Sequence, residues 1–190
     1  MNNSRVTLSI DPGETTSLAV CNGSGKLLEG YEFKMPYSKE PCQRMIAFKR
    51  EFGKLIDQIF QEHCINQALL EVPYSVGPSQ VAYLYQRSGN AMDLVKLIST
   101  AFAIHSVLSE KGCLVMTVPA TYWLSNKEKF TFKKYAAMDL IDFKQYPFIK
   151  ANRDGILDAV LMCKRFNGDA NLQHRVNCFM TVDFSNKKKK

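Results

Sequence analysis

Apolar residues come in short runs at the start of the chain and in helical repeats further on. Val6 to Ile10 is a short, partly β-branched run stopped by Asp11-Pro12-Gly13, and Ser17 to Cys21 is a second, followed by the hairpin-type turn "NGSGK". Leu27 to Lys34 completes three strands in meander order. From Cys42 to His63, Met45, Ile46, Phe48, Phe52, Leu55, Ile56, Ile59 and Phe60 recur every three or four residues, which predicts a helix with one core face. Gln67 to Val72 is a short buried strand interrupted by Glu71, and "PYSVGPS" then breaks the chain. A strongly apolar helix spans about 90–111 and a strand runs from Cys113 to Val118, stopped by Pro119. Apolar positions cover so much of that helix that it is either fully buried or has a second face against a partner chain. Helices over Phe132 to Phe143 and Asp154 to Phe166 follow, and from 167 on the chain reads as irregular, with "CFMTVDF" a candidate short strand. The order βββ, α, β, α, β, α, α predicts a mixed α/β sheet covered by helices.

A length of 190 residues suits one domain with its own core. No apolar run approaches the ~20 residues of a membrane span, and the N-terminus lacks the basic-then-apolar layout of a secretory signal. The expectation is a soluble cytoplasmic protein. Six cysteines, at 21, 42, 64, 113, 163 and 178, include no Cys-x-x-Cys pair, so they read as thiols, mostly small buried hydrophobes.

Of the formal charge of +7, the four terminal lysines, Lys187, Lys188, Lys189 and Lys190, supply four. Between Trp123 and Lys150 stand six lysines (Lys127, Lys129, Lys133, Lys134, Lys144, Lys150) against Glu128, Asp139 and Asp142. A basic tail and a basic segment together suit a nucleic-acid surface, where each neutralised phosphate releases counterions. Either one also suits an ordinary solvated face.

Two acids end or interrupt apolar strands: Asp11 after "TLSI" and Glu71 after "ALL". If the fourth strand lies parallel beside the first, their ends come together. In "NRDGILDAVLMC", Asp154 and Asp158 are four apart, hence on one helix face, where like charges cost ~0.2 to 0.5 kcal/mol unless a cation offsets them. Taken singly, each acid has an ordinary explanation: a turn former, a strand-end charge, an N-cap, a first-turn acid. Jointly, four acids are the kind of oxygen-ligand set that holds Mg²⁺.

Asp11-Pro12-Gly13 ending strand 1, Glu71 ending strand 4 and the "DGILDA" helix resemble the RuvC-type Holliday junction resolvases of the RNase H-like nuclease superfamily. The resemblance runs over roughly residues 5 to 166, including the long helix after "RSGNAMDL" and the "TVP" strand end. It implies an RNase H-like fold, a mixed five-stranded sheet of three antiparallel strands and then parallel ones, with residues 1–168 as the nuclease domain and 169–190 as an extension with a basic tail. It further implies a homodimer that recognises four-way DNA junctions and makes paired incisions leaving 5′-phosphate and 3′-hydroxyl ends. Asp11, Glu71, Asp154 and Asp158 would hold two Mg²⁺ ions, with Mn²⁺ able to substitute, and such an ion pair activates a water and stabilises the leaving oxygen. Lys133 or Lys134 matches a lysine near the scissile phosphate, and Tyr74 an aromatic that stacks at the opened junction. Lys127, Lys129 and the terminal lysines complete the expected DNA contacts.

The chain departs from the family pattern twice. The last two acids of bacterial members are commonly three apart, where Gly155 stands here; the outer position, Asp154, is used in branches resembling mitochondrial and poxviral resolvases. The glycine-rich segment before the family's lysine is replaced by "SNKEKFTFKK", so contacts to the junction are expected to differ, and the short length, basic tail and divergent motifs together suggest a phage or otherwise mobile relative. Alternatives remain open at this point. They are an RNase H-like nuclease acting on other branched DNA or on RNA–DNA hybrids, a junction-binding module that does not cut, and an actin-like sugar kinase, whose first phosphate loop D-P-G-E-T-T-S resembles and whose second lobe needs more chain than this.

Overall fold

A computed structural model describes residues 6–73, 91–123, 139–142, 144–145 and 154–180. Its centre is a five-stranded sheet made of β1 (Val6–Asp11), β2 (Thr15–Cys21), β3 (Leu27–Lys34), β4 (Ile65–Val72) and β5 (Leu114–Pro119). The strands lie in the order β3-β2-β1-β4-β5. β1, β2 and β3 pair antiparallel, and β4 and β5 run parallel to β1. This is the expected mixed sheet, with β4 beside β1.

The hairpin between β2 and β3 shows why its residues are what they are. Asn22 Oδ1 accepts from the backbone of Ser24 at 3.0 Å and of Lys26 at 2.9 Å, closing an Asx-type turn. Gly25 takes φ +83°, and a Cβ there would lie 2.6 Å from the Lys164 backbone, so the position needs glycine for conformation and for room.

Side chains alternate across the sheet and feed two cores. Leu8 and Ile10 of β1, Leu18 and Val20 of β2, and Ala68 and Leu70 of β4 pack with α1 (Pro41–Glu62) and α2 (Ala91–Glu110). Helix α1 starts on Glu40, whose carboxylate caps the Cys42 and Gln43 N–H groups, with Pro41 at the first position. It buries Phe48, Phe52, Ile56 and Ile59, and Phe33 of β3 meets Phe48 and Phe52 edge-on at 5.4 and 5.5 Å. Helix α2 is not fully buried: Val95 and Phe102 are exposed, as is Ile46 of α1.

The opposite face receives Ala19 and Cys21 of β2, Leu69 of β4 and Met116 and Val118 of β5. Three helices cover it: the short α3 (Ala120–Trp123), α4 (Asp154–Gly168) and α5 (Ala170–Met180). Small residues on both sides, Ala159 and Cys163 of α4 with Ala19 and Cys21 of β2, let α4 lie close on the sheet. The Cys21 thiol, hydrogen-bonded with Cys163 and buried, is pushed well above the ordinary thiol range.

Two sequence expectations need correction. Over residues 170–180 helix α5 replaces the irregular stretch read from 167 onward: Asp169 Oδ1 caps it through Asn171 and Leu172, and Leu172 and Val176 are buried in the core, while 181–190, with the rest of "CFMTVDF", lie outside the described residues. The capping signal "GDAN" was present, but the apolar spacing of Leu172 and Val176 is too sparse to stand out beside "CFMTVDF". Residues 139–142 are turn and irregular chain, not the end of a helix reaching Phe143; Leu140 and Ile141 are buried, and the Leu140 carbonyl accepts from Leu27 N–H at 2.8 Å. That bond to a distant strand replaces a helical one. Residues 132–138 of the expected helix lie outside the described residues. Among the described residues, no helix is long and apolar enough to cross a membrane.

Candidate active site at the strand ends

Asp11 is the last residue of β1 and Glu71 the penultimate residue of β4. The parallel register runs through Ile10 opposite Leu70, so the next pair along is Asp11 and Glu71, one strand spacing apart, about 4.8 Å. Alternation turns both toward α4: Leu8 and Ile10 belong to the other core, and Leu69, two before Glu71, lies in the core beneath α4. The two acids that interrupt apolar runs in the sequence are therefore brought side by side.

Helix α4 supplies the third side of the site. Gly155 sits directly over the β1–β2 pair formed by Asp11 and Ser17. A Cβ at position 155 would stand 2.8 Å from Ser17 Cβ, closer still to Ser17 Oγ, and 3.5 Å from Asp11 Oδ2. The glycine therefore admits the start of α4 to the carboxylate of Asp11. It also explains a departure read in the sequence: an acid three residues before Asp158 would collide with β2, so position 155 cannot carry one while Ser17 is present. Asp158 follows one turn later, half-buried, with its Oδ1 inside the protein. Asp154 is the first residue of α4, one turn before Asp158, and its side chain lies outside what the structure describes.

Glu71 has a partner that sequence reasoning missed. The indole Nε1 of Trp123 donates to Glu71 Oε2 at 3.0 Å. Trp123, the chain's single tryptophan, is buried at the end of α3, and its carbonyl accepts from Arg165 Nη1 of α4 at 2.8 Å. Nothing in the sequence links residues 52 positions apart; a lone tryptophan after a strand-ending proline was the available signal.

Other expected site residues, Tyr74, Lys127, Lys129, Lys133, Lys134 and Lys187 to Lys190, lie outside the described residues. Among the described residues, one group of metal-capable side chains has all its donor atoms within 4.8 Å of one another, and it is elsewhere: Glu29, Glu62 and His63. Asp11, Glu71 and Asp158 are spread more widely. A pair of ions about 3.5 to 4 Å apart calls for a donor set wider than one ion's shell. Oxygen-only donors, two of them on adjacent strand ends and one on a helix held close by a glycine, fit a hard divalent cation such as Mg²⁺.

No family model matches the chain, and no curated protein matches it either. Solved structures do. RuvC of Thermus thermophilus in complex with a Holliday junction substrate superposes with a TM-score of 0.56 at 15% identity, covering 91% of this chain and 96% of that one. A second Thermus thermophilus RuvC structure gives 0.52 at 12% identity over 90% and 96% of the two chains. The fold is that of RuvC. The RuvC fold is RNase H-like, and its mixed sheet of three antiparallel strands followed by parallel ones is the one found here. A fowlpox virus resolvase in complex with substrate Holliday junction DNA is more distant, with a TM-score of 0.41 at 12% identity over 80% of this chain.

Proposed function

We propose that this protein is a Mg²⁺-dependent endonuclease of the RuvC type that resolves four-way DNA junctions by paired phosphodiester hydrolysis. The observation that carries the reading is the meeting of Asp11 and Glu71 on adjacent parallel strand ends under the glycine-started helix that bears Asp158, within the RuvC fold. The RuvC neighbour described with a Holliday junction substrate supports the choice of DNA class.

Asp11, Glu71, Asp158 and, from the sequence, Asp154 would hold the cations, which supply activation of a water and charge stabilisation at the leaving oxygen. The chain's own contributions are separable from that chemistry. β1 and β4 hold the backbones of the two acids one strand spacing apart, so both side chains start from a fixed frame. Trp123 holds one oxygen of Glu71. Lys133 or Lys134, Lys127 and Lys129 would meet phosphates, Tyr74 would stack on an unpaired base, and the Lys187 to Lys190 tail would add non-specific attraction.

Two incisions across a junction call for two active sites, hence a homodimer. Val95 and Phe102, seven residues apart on the same face of α2, are exposed, and Ile46 of the adjoining α1 is exposed too. Such an apolar face is costly to leave in water and suits a second copy of the chain.

The deciding experiment uses end-labelled four-way junction, linear duplex, flap and RNA–DNA hybrid, each with Mg²⁺ or EDTA. Symmetrical, ligatable nicks in the junction alone, dependent on Mg²⁺, are the expected result. Cutting of another substrate moves the activity elsewhere among RNase H-like nucleases; binding in EDTA with no cutting in Mg²⁺ makes the protein a junction-binding module.

A further inference from the structure

The Trp123–Glu71 hydrogen bond goes beyond the carboxylate set. We infer that Trp123 is a positioning residue of this site: its indole N–H holds Glu71 Oε2, and so sets how tightly a divalent cation is bound. The inference rests on reading Asp11, Glu71 and Asp158 as cation ligands.

Three observations build it. First, the donor is fixed. Trp123 is 2% exposed and belongs to the core beneath α4, so the ring cannot swing away without opening that core. Second, the bond is 3.0 Å long and runs from an indole N–H, which can only donate, to a carboxylate oxygen of Glu71. Third, the arrangement is braced from the helix that carries Asp158. Arg165, seven residues further along α4, donates to the Trp123 carbonyl at 2.8 Å. β4, α3 and α4 are thus tied in sequence Glu71, Trp123, Arg165, and the spacing between the Glu71 and Asp158 sides of the site depends on that tie. Groups that hydrogen-bond metal-ligating carboxylates orient them, and their loss costs 10- to 100-fold in metal affinity or activity.

The test uses the full chain and a readout independent of cutting. Trp123 is the only tryptophan, so its emission reports on this site alone. Mn²⁺ titrated into DNA-free wild-type protein is expected to quench that emission saturably, and Asp11→Asn to abolish the quenching. By calorimetry, Trp123→Phe should raise the Mn²⁺ Kd by about 10- to 100-fold. Because the substitution also shrinks a buried ring, a second variant replaces the single tryptophan by 3-benzothienylalanine, which keeps the bicyclic shape and has sulfur where the N–H stands. It should melt at the wild-type temperature and still show the weakened Mn²⁺ binding. In cutting assays its midpoint in metal should move by the same factor, while its rate at saturating metal returns to near the wild-type value, a split that a merely structural defect would not produce.

If the isosteric variant binds Mn²⁺ as wild type does, at a site lost in Asp11→Asn, the positioning role is wrong and the cation site stands. If wild-type protein shows no Mn²⁺ binding sensitive to Asp11→Asn, the cation site itself fails, and the positioning role with it.

Discussion

Two places on this molecule gather metal-capable side chains, and they are built in different ways. Glu29, Glu62 and His63 lie at the β3 edge against the end of α1, with donor atoms within 4.8 Å. They are tight because they satisfy one another: His63 Nε2 meets Glu29 Oε2 at 3.0 Å, Tyr31 donates to Glu62 Oε2 at 3.0 Å, and Gln58 donates to Glu62 Oε1 at 3.1 Å. Burial works against ionisation of Glu29, yet the bonds from His63 and Tyr31 outweigh it and hold that carboxyl below its usual range. The cluster thus contains its own hydrogen-bond partners. Asp11, Glu71 and Asp158 are spread more widely and are held by the sheet centre and by a helix packed against it, with Trp123 donating to Glu71. The two places differ in their frame: one is an edge strand against a helix end, the other the sheet centre beneath a packed helix.

The sharpest way to break this comparison is to remove one acid from each place. Asp11→Asn should abolish junction cutting, by more than the ~100-fold that loss of an outer-shell partner costs, while junction affinity in EDTA stays as in wild type. Glu29→Gln should leave cutting within about twofold. Loss of cutting in Glu29→Gln with retention in Asp11→Asn would reverse the assignment.

A smaller effect tests the steric half of the strand-end site. Gly155→Ala drives a methyl into Ser17 and should cost ~1 to 3 kcal/mol by denaturant unfolding. Ser17→Gly removes the atoms it would hit and leaves Asp11 Oδ2 at ordinary contact distance, so the double variant should recover most of that loss. Additive single effects in the cycle would mean that α4 does not lie where Gly155 places it.

The smallest effect belongs to the Glu29 cluster. Its folded pKa is depressed, so its stabilisation is fully present above the unfolded carboxyl value and is lost as pH falls through the folded one. Glu29 is partly exposed, so solvent screening limits the contribution to no more than about 1 kcal/mol. Melting curves of wild type and Glu29→Gln from pH 7 to pH 3 should differ at the upper end and converge at the lower. A gap that widened on acidification would contradict the sign.

Local pattern alone determined much of this protein. The meander of β1 to β3, helices α1 and α2, strand β4 with its penultimate acid and the helix that starts at Asp154 all follow from apolar period, turn residues and length, because each shows its buried face in its own sequence. The two acids that break apolar runs were visible for the same reason: a charge at the end of a buried strand is conspicuous. Helix α5 was hidden, since it depends on packing Leu172 and Val176 against elements far away in the chain. Only the tertiary structure decided that Gly155 stands against Ser17, and that Trp123 reaches Glu71 across 52 residues. Such contacts are set by how closely a helix can approach a sheet and by which buried donor finds an acceptor there. Those are properties of the assembled packing, and no stretch of the chain carries them by itself.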